Sequence, residues 1–266
     1  MLSASILKHL KSLHQKKFRR KENKFLLEGY RLIDQALSAN AEIEEVWVTK
    51  KSLDSQNCKD LFQQIENKNI PWSMVPDKII RQVSDSLNDQ GIIALAPIPL
   101  YKKYHKPPLK SLYLDGIADP GNMGTLLRTA AWFGIKNIFR SPECVDPFNS
   151  KVVRSAMGAH FYFSHFEVIF EHKILDDYIE SGMEILGSDM EGCSIHTLNL
   201  SNTKGWILVL GSEAHGISKS AHSLITKMVT IPGIKGMESL NVSVAGGILL
   251  QALTSSDVVI NKKAVL

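Results

Sequence analysis

Three stretches of the 266-residue chain combine glycines with polar side chains in patterns that can do chemistry. The first runs Asp115-Gly116-Ile117-Ala118-Asp119-Pro120-Gly121-Asn122-Met123-Gly124 and continues into Thr125-Leu126-Leu127-Arg128-Thr129-Ala130. An apolar run that delivers glycines, a proline and an asparagine to a helix start leaves free backbone N–H groups there. The helix dipole adds attraction for an anionic group. Arg128 lies four residues beyond Gly124, so its guanidinium can return to the same crevice. The plain alternative is a tight strand-to-helix turn with Arg128 as a solvated surface charge.

The second stretch, Leu210-Gly211-Ser212-Glu213-Ala214-His215-Gly216-Ile217, directly follows the apolar run Trp206–Leu210. A carboxylate between two glycines at the C-terminal end of a buried strand is where open α/β sheets place ligands. His215 is either a base or an exposed loop residue; Glu213 is either a site carboxylate or a helix-start residue satisfying orphan amides. The third stretch runs from Ile231-Pro232-Gly233 through Lys235, Gly236, Met237 and Glu238 to Ser239-Leu240-Asn241-Val242-Ser243-Val244-Ala245-Gly246-Gly247. Ser239 or Glu238 is expected to start a helix with Asn241 in its first turn. Adjacent glycines cost a helix about 1 kcal/mol each against alanine, so a close neighbour must compensate. That neighbour is a ligand, another segment, or a tightly packed sheet.

Stepping outward, the elements that carry these loops alternate in type. In the first hundred residues Leu32, Ile33, Ala36 and Leu37 recur at helical spacing, Leu61–Ile65 reads as a helix, and Val46–Thr49 and Ile92–Leu95 read as strands. Ala96-Pro97-Ile98-Pro99 and Tyr101–Pro108 hold four prolines and little apolar periodicity, which marks a linker. Beyond it, strands are expected at 112–114, 137–139, 185–187, 206–210 and 228–231. Helices are expected at 124–133, capped by Gly134, and at 239–253. Near-continuous apolar strands imply a mostly parallel sheet covered on both faces, which would bring all three loops to one edge. The expected organisation is a small α/β domain over 1–100, a linker over 101–110, and an α/β catalytic domain over 111–266.

Composition narrows the class. A hydrophobic fraction of 44% with mixed charge signs fits a globular protein. No apolar run reaches the roughly 18–20 residues needed to span a bilayer, and the first residues lack a signal-peptide pattern, so a cytoplasmic protein is expected. Cys58, Cys144 and Cys193 are scattered, without zinc spacing, and read as small buried residues; no metal is expected. Residues 1–108 hold 18 Lys and Arg against 12 Asp and Glu, while the rest holds 13 against 15. The densest basic stretch is Lys8, Lys11, Lys16, Lys17, Arg19, Arg20, Lys21 and Lys24. It is either a solvated terminus or a salt-sensitive contact to nucleic acid.

Together the motifs resemble the SpoU (TrmH) branch of the SPOUT RNA methyltransferases, over about residues 110–255. Asn122-x-Gly124-x-x-x-Arg128-Thr129-Ala130 is similar to that family's first motif, Gly211-x-Glu213-x-x-Gly216 to the second, and Ser239-Leu240-Asn241-Val242 to the third. Lys151-Val152-Val153-Arg154-Ser155-Ala156-Met157-Gly158-Ala159 resembles a stretch commonly seen between them, and Phe25-Leu26-Leu27-Glu28-Gly29 the start of an accessory substrate-binding domain. Ala214 stands where a glycine is often found, and the glycines of Gly233-Ile234-Lys235-Gly236 are placed unusually.

The resemblance implies an α/β fold with a C-terminal trefoil knot, a homodimer, and S-adenosyl-L-methionine as cofactor. It also implies methyl transfer to a ribose 2′-hydroxyl of RNA, ribosomal before transfer RNA. By position it implies Leu210, Gly211, Ile231 and Leu240 around the cofactor, and Asn122, Arg128, Glu213, Ser239 and Asn241 around the reaction. Arg128 would either take the hydroxyl proton or clamp a neighbouring phosphate, since a free guanidinium stays protonated. The rival readings are a transfer-RNA ribose methyltransferase and an RNA-binding or ribosome-assembly factor without catalysis. A nucleotide hydrolase would need a phosphate loop or metal-binding carboxylates that the sequence lacks.

Overall fold

A computed structural model describes residues 4–86, 89–170, 172–234 and 239–255. The chain begins α1 (Ala4–Ser12), α2 (Lys16–Glu22), β1 (Lys24–Glu28), α3 (Tyr30–Ser38), β2 (Glu45–Val48), α4 (Lys50–Leu53), α5 (Gln56–Asn67), β3 (Trp72–Met74), α6 (Asp77–Val83) and β4 (Ile92–Pro97). It continues β5 (Lys110–Asp115), α7 (Pro120–Trp132), β6 (Asn137–Arg140), α8 (Ser150–Ala156), β7 (His165–Val168) and α9 (Lys173–Glu180). Last come β8 (Glu184–Ser194), β9 (Trp206–Gly211), α10 (Lys219–His222), β10 (Lys227–Thr230) and α11 (Val242–Thr254). Two compact units result: residues 1–100 with 146–162, and residues 101–145 with 163–266.

The first unit is built on a mixed sheet in the order β1-β4-β2-β3, with β2 and β3 parallel and the other pairs antiparallel. Side chains alternate across a strand, and here both faces are apolar. Phe25 and Leu27, with Val46, Val48, Ile92 and Ala94, pack against Leu32, Ile33, Ala36 and Leu37 of α3 and Leu61, Phe62 and Ile65 of α5. Leu26, Trp47, Ile93 and Leu95 face the other way, onto Leu10 and Leu13 at the end of α1 and Ile80 and Val83 of α6. Residues 146–162 belong to this unit because Phe148, Val153 and Phe161 join the first of these clusters. Phe25 and Phe148 meet edge to face at 5.1 Å.

The second unit carries a six-stranded, wholly parallel sheet in the order β10-β8-β9-β5-β6-β7. The runs Leu112–Leu114 and Ile207–Leu210 are at most 1% exposed, as strands covered on both faces must be. The loops after β5 and β9 leave the same edge, because those strands are parallel neighbours with Asp115 opposite Gly211.

Several expectations shift. The helix expected at 124–133 begins earlier, at Pro120, because Asp119 caps it with its side chain and proline suits the first helical position. Gly134 closes it in left-handed geometry, φ +74°, as expected. The last helix begins at Val242, not Ser239: Asn241 is its cap, accepting from the Ser243 N–H. Lys235, Gly236, Met237 and Glu238 lie outside the described residues. Gly246 touches two elements: an added Cβ would sit 2.5 Å from Leu126 of α7 and 2.8 Å from Leu210 of β9. At that glycine the compensation is packing between elements. Cys58 and Cys144 are buried, but Cys193, on the outer part of β8, is exposed.

Candidate active site

The parts of the site are set by local backbone chemistry. Asp119 accepts the Asn122 N–H at 2.8 Å, which fixes the first turn of α7. In the loop after β9, Ser212 and Gly216 exchange two backbone hydrogen bonds, 3.0 and 2.8 Å, and fold the intervening residues into a closed turn. Glycine is required at its base. A Cβ on Gly211 would lie 2.1 Å from the Gly216 carbonyl carbon and 2.2 Å from the Ile217 nitrogen, both backbone atoms. Glu213, Ala214 and His215 are exposed on this turn. Asp115, only 4% exposed, holds the far side of the loop by accepting the Ser218 N–H at 2.8 Å.

Three loops distant in sequence are then joined by one chain of side-chain hydrogen bonds. The Ser243 hydroxyl donates to Asn241 Oδ1 at 2.6 Å, and Asn241 Nδ2 donates to Asn122 Oδ1 at 3.0 Å. Asn122 Nδ2 in turn donates to the Glu213 carboxylate. An amide is the side chain suited to the middle of such a chain, because it accepts on one atom and donates on the other. Every member is half-buried or exposed, so the chain lies open to a ligand and is not closed within the core.

Of the other candidates, Arg128 is exposed on α7 and forms no hydrogen bond or ion pair among the described residues. Leu210 is buried, with its side chain under Gly246, so its contribution to a ligand is through backbone. Ile231 is half-buried just after β10, and Ser239 and Leu240 are exposed just before the Asn241 cap. None of these five is hydrogen-bonded to the Asn122–Glu213 chain among the described residues. Leu240 and Ile234 are 48% and 89% exposed. The glycine-lined turn at 211–216 suits close backbone approach. His215 is exposed, and its backbone N–H donates to Ser212 Oγ at 3.2 Å.

Asp115, Asp119 and Ser243 were not picked out as site-building residues by the motifs. Asp119 was recoverable, since Asp before Pro at a helix start is a capping signal. Asp115 ends an apolar strand with a carboxylate, but its partner 103 residues away leaves no local trace. Beneath the site the Tyr113 phenol is pushed well up, first by burial and then by the Asp115 charge. It stays protonated and bonds His172 Nδ1 at 2.8 Å.

A wholly parallel sheet whose strand-end loops converge on a glycine turn and an amide–carboxylate chain defines an α/β ligand-binding enzyme with a composite site. The family model for the SpoU rRNA Methylase family matches residues 110–251, and one for an MRM3-like substrate-binding domain matches residues 5–94. The chain belongs to the SpoU rRNA methylase family. It is 28% identical to the 23S rRNA (guanosine(2553)-2′-O)-methyltransferase RlmP of Bacillus subtilis, over 93% of this chain and 95% of that one. It is 31% identical to the mitochondrial rRNA methyltransferase 3A of Danio rerio, covering 88% of this chain and 64% of that protein. A solved structure from Porphyromonas gingivalis, described as an RNA methyltransferase of the TrmH family, superposes with a TM-score of 0.80 at 29% identity, over 96% and 99% of the two chains.

Among the described residues no helix is long and apolar enough to cross a membrane, and no group of three or more His, Cys, Asp or Glu is placed to hold a metal.

Proposed function

We propose that the protein methylates a ribose 2′-hydroxyl of ribosomal RNA at the edge where the loops after β5 and β9 meet the start of α11. The observation that carries this reading is the side-chain chain Ser243–Asn241–Asn122–Glu213, which ties all three motif loops into one surface. S-adenosylmethionine supplies an electrophilic methyl group on a sulfonium. Gly211, Ile231 and Leu240, with the backbone of Leu210, are the residues that would hold it. Asn122 and Asn241 orient the Glu213 carboxylate, and Ser239 lies two residues before Asn241 at the same helix start. Arg128, exposed and without a partner among the described residues, faces the RNA: its fork binds a phosphate beside the target ribose and favours the alkoxide that develops at the 2′-oxygen. Alignment of the hydroxyl for attack can itself contribute roughly 7–11 kcal/mol.

We read residues 1–100, with 146–162 packed among them, as the RNA-docking domain, 101–110 as its link, and the rest of 111–266 as the catalytic domain with a C-terminal trefoil knot. The return of α11 onto α7 and β9, although β10 lies at the sheet's far edge, supports that path. We also propose a homodimer. Trp132 on α7 is 81% exposed and Val244 on α11 is 50% exposed, and these two helices pack together, so a second copy would cover apolar surface there. A cytoplasmic site suits three cysteines without a disulfide.

The test has two readouts on the full chain. Calorimetry should show stoichiometric S-adenosylmethionine binding, and ribosomal RNA incubated with labelled cofactor should acquire alkali-resistant ribose methylation. Folded protein that takes up neither S-adenosylmethionine nor its demethylated product would overturn the proposal.

A further inference from the structure

Tyr113, His172 and Ser220 take no part in the side-chain chain of the site above, and they form a second one beside it. His172 precedes α9 with φ at +55°, in the left-handed region that a residue with a Cβ adopts only at a cost. Its ring is bonded at both ends. Nδ1 meets the Tyr113 hydroxyl at 2.8 Å, Nε2 meets Ser220 Oγ at 2.8 Å, and Ser218 Oγ stands 3.5 Å from Nε2. These bonds hold the ring, and with it that backbone, in one place.

Protons fix the direction of the bonds. Burial and the Asp115 charge keep Tyr113 in its phenol form, so its hydroxyl donates to Nδ1. An imidazole that accepts at Nδ1 carries its hydrogen on Nε2, and Nε2–H donates to Ser220 Oγ. Ser220 therefore receives a hydrogen bond and has no base to activate it, which excludes a nucleophilic serine. The role left to the relay is mechanical. Tyr113 lies on β5 two residues before Asp115, and Asp115 accepts the Ser218 N–H at 2.8 Å. Residues 218–220 lead directly out of the turn closed by Ser212 and Gly216. That exit is thus anchored to β5 twice, once by Asp115 and once through His172.

We propose that His172 is a positioning residue for the cofactor: it fixes the exit of the 211–216 turn against β5 and so keeps that turn in its binding shape. The inference rests on the methyltransferase reading, and adds to it a residue that lies in none of the three motif stretches. Its effect falls on the hold on S-adenosylmethionine and not on methyl transfer itself. Asn122 and Arg128, which serve the transfer, are carried by α7 and lie off this path.

The test measures KM for S-adenosylmethionine, and kcat, on the full chain carrying Tyr113→Phe, His172→Asn or Ser220→Ala. Asparagine tolerates the left-handed backbone but is too short to bridge Tyr113 and Ser220. His172→Asn should raise KM about fivefold, the scale of one lost hydrogen bond, with kcat within about twofold of wild type. Tyr113→Phe and Ser220→Ala should each raise KM, and neither should add to His172→Asn, because each cut breaks the same bridge. A second readout needs no cofactor. Lys219 is exposed at the start of α10, and trypsin should cut after it about fivefold faster in the three variants than in wild type. Should Tyr113→Phe fail to fold, the other two variants carry the test. Unchanged KM and unchanged cleavage in the folded variants, effects that add in full, or a fall in kcat with KM unmoved would overturn the proposal. A wild-type chain that takes up no S-adenosylmethionine would instead sink the methyltransferase reading, and cleavage at Lys219 would still decide whether the bridge holds the turn's exit.

Discussion

Two polar clusters, one in each unit, are arranged in opposite ways. In the four-stranded unit one is turned inward and closed: Arg19 is 3% exposed, donates to the carbonyls of Leu13 and His14 at 2.7 Å, and pairs with Asp146. At the C-terminal edge of the six-stranded sheet, Asn122, Glu213 and Asn241 bond chiefly to one another and stay open to solvent. Burying a charge is costly unless it is paired, so an inward arginine is structural. An exposed chain of amides and a carboxylate adds little to stability, and its order is that of a surface prepared for a ligand. The number of charged residues therefore says less about function than which of them are left open.

That contrast is most exposed to failure at Arg128. Arg128→Ala should lower methyl transfer by roughly a hundredfold or more, the scale of losing a charge-stabilising donor, with cofactor affinity within about twofold of wild type. Single-turnover kinetics and calorimetry separate the two. Loss of both in a folded variant would make Arg128 part of the cofactor's support. Next in size is Gly211→Ala. A Cβ there meets backbone and not a movable side chain, so the 211–216 turn must open. The expected cost is about 2 kcal/mol in thermal stability and roughly tenfold in cofactor affinity, while Gly134→Ala, with nothing within 4 Å of its Cβ, should spare the cofactor.

Much of the second unit was legible because its signals are local. Apolar runs at 112–114 and 206–210 are strands, and glycine-rich stretches follow them at the expected edge. The resemblance named Asn122, Glu213 and Asn241, but not the hydrogen bonds joining them, which span 91 and 119 residues. The first unit was harder to read. Helices α1 and α2 lie in a stretch whose lysines and arginines hide the few apolar anchors, Leu10 and Leu13. β3 is three residues long, and its Trp72 and Met74 are exposed, so no alternation marks it. Residues 146–162 pack with residues from the start of the chain, a pairing that no local pattern encodes.

The first unit should answer to pH through a buried histidine. His160 is buried and its Nε2–H donates to the Pro147 carbonyl at 2.8 Å. Burial pulls its pKa down to about 4. The folded form therefore binds the proton less readily than the unfolded chain, near 6.5. Its contribution is complete above that value and is lost as pH falls from about 6.5 toward 4, about 2 kcal/mol of it by pH 5. Urea unfolding at pH 7 and pH 5 should show this loss, and His160→Gln should flatten it. An equal slope in both proteins would mean that other groups set the acid sensitivity.

The smallest effect expected is also the most direct probe of the basic segment. Removing residues 1–24 outright would strip Leu10, Leu13 and Arg19 from the core, so charge must be changed without the chain. Lys16, Lys17, Arg20 and Lys21 are exposed on α2, whereas Lys24 is engaged with Glu44 at 2.5 Å. Replacing those four with glutamine should leave the melting temperature nearly unchanged. Each cation in phosphate contact contributes about 0.7–0.9 to the dependence of log affinity on log salt. The variant should lose a slope of about 1 or more on RNA, with its deficit greatest at low salt. An unchanged slope would assign α2 to solvent.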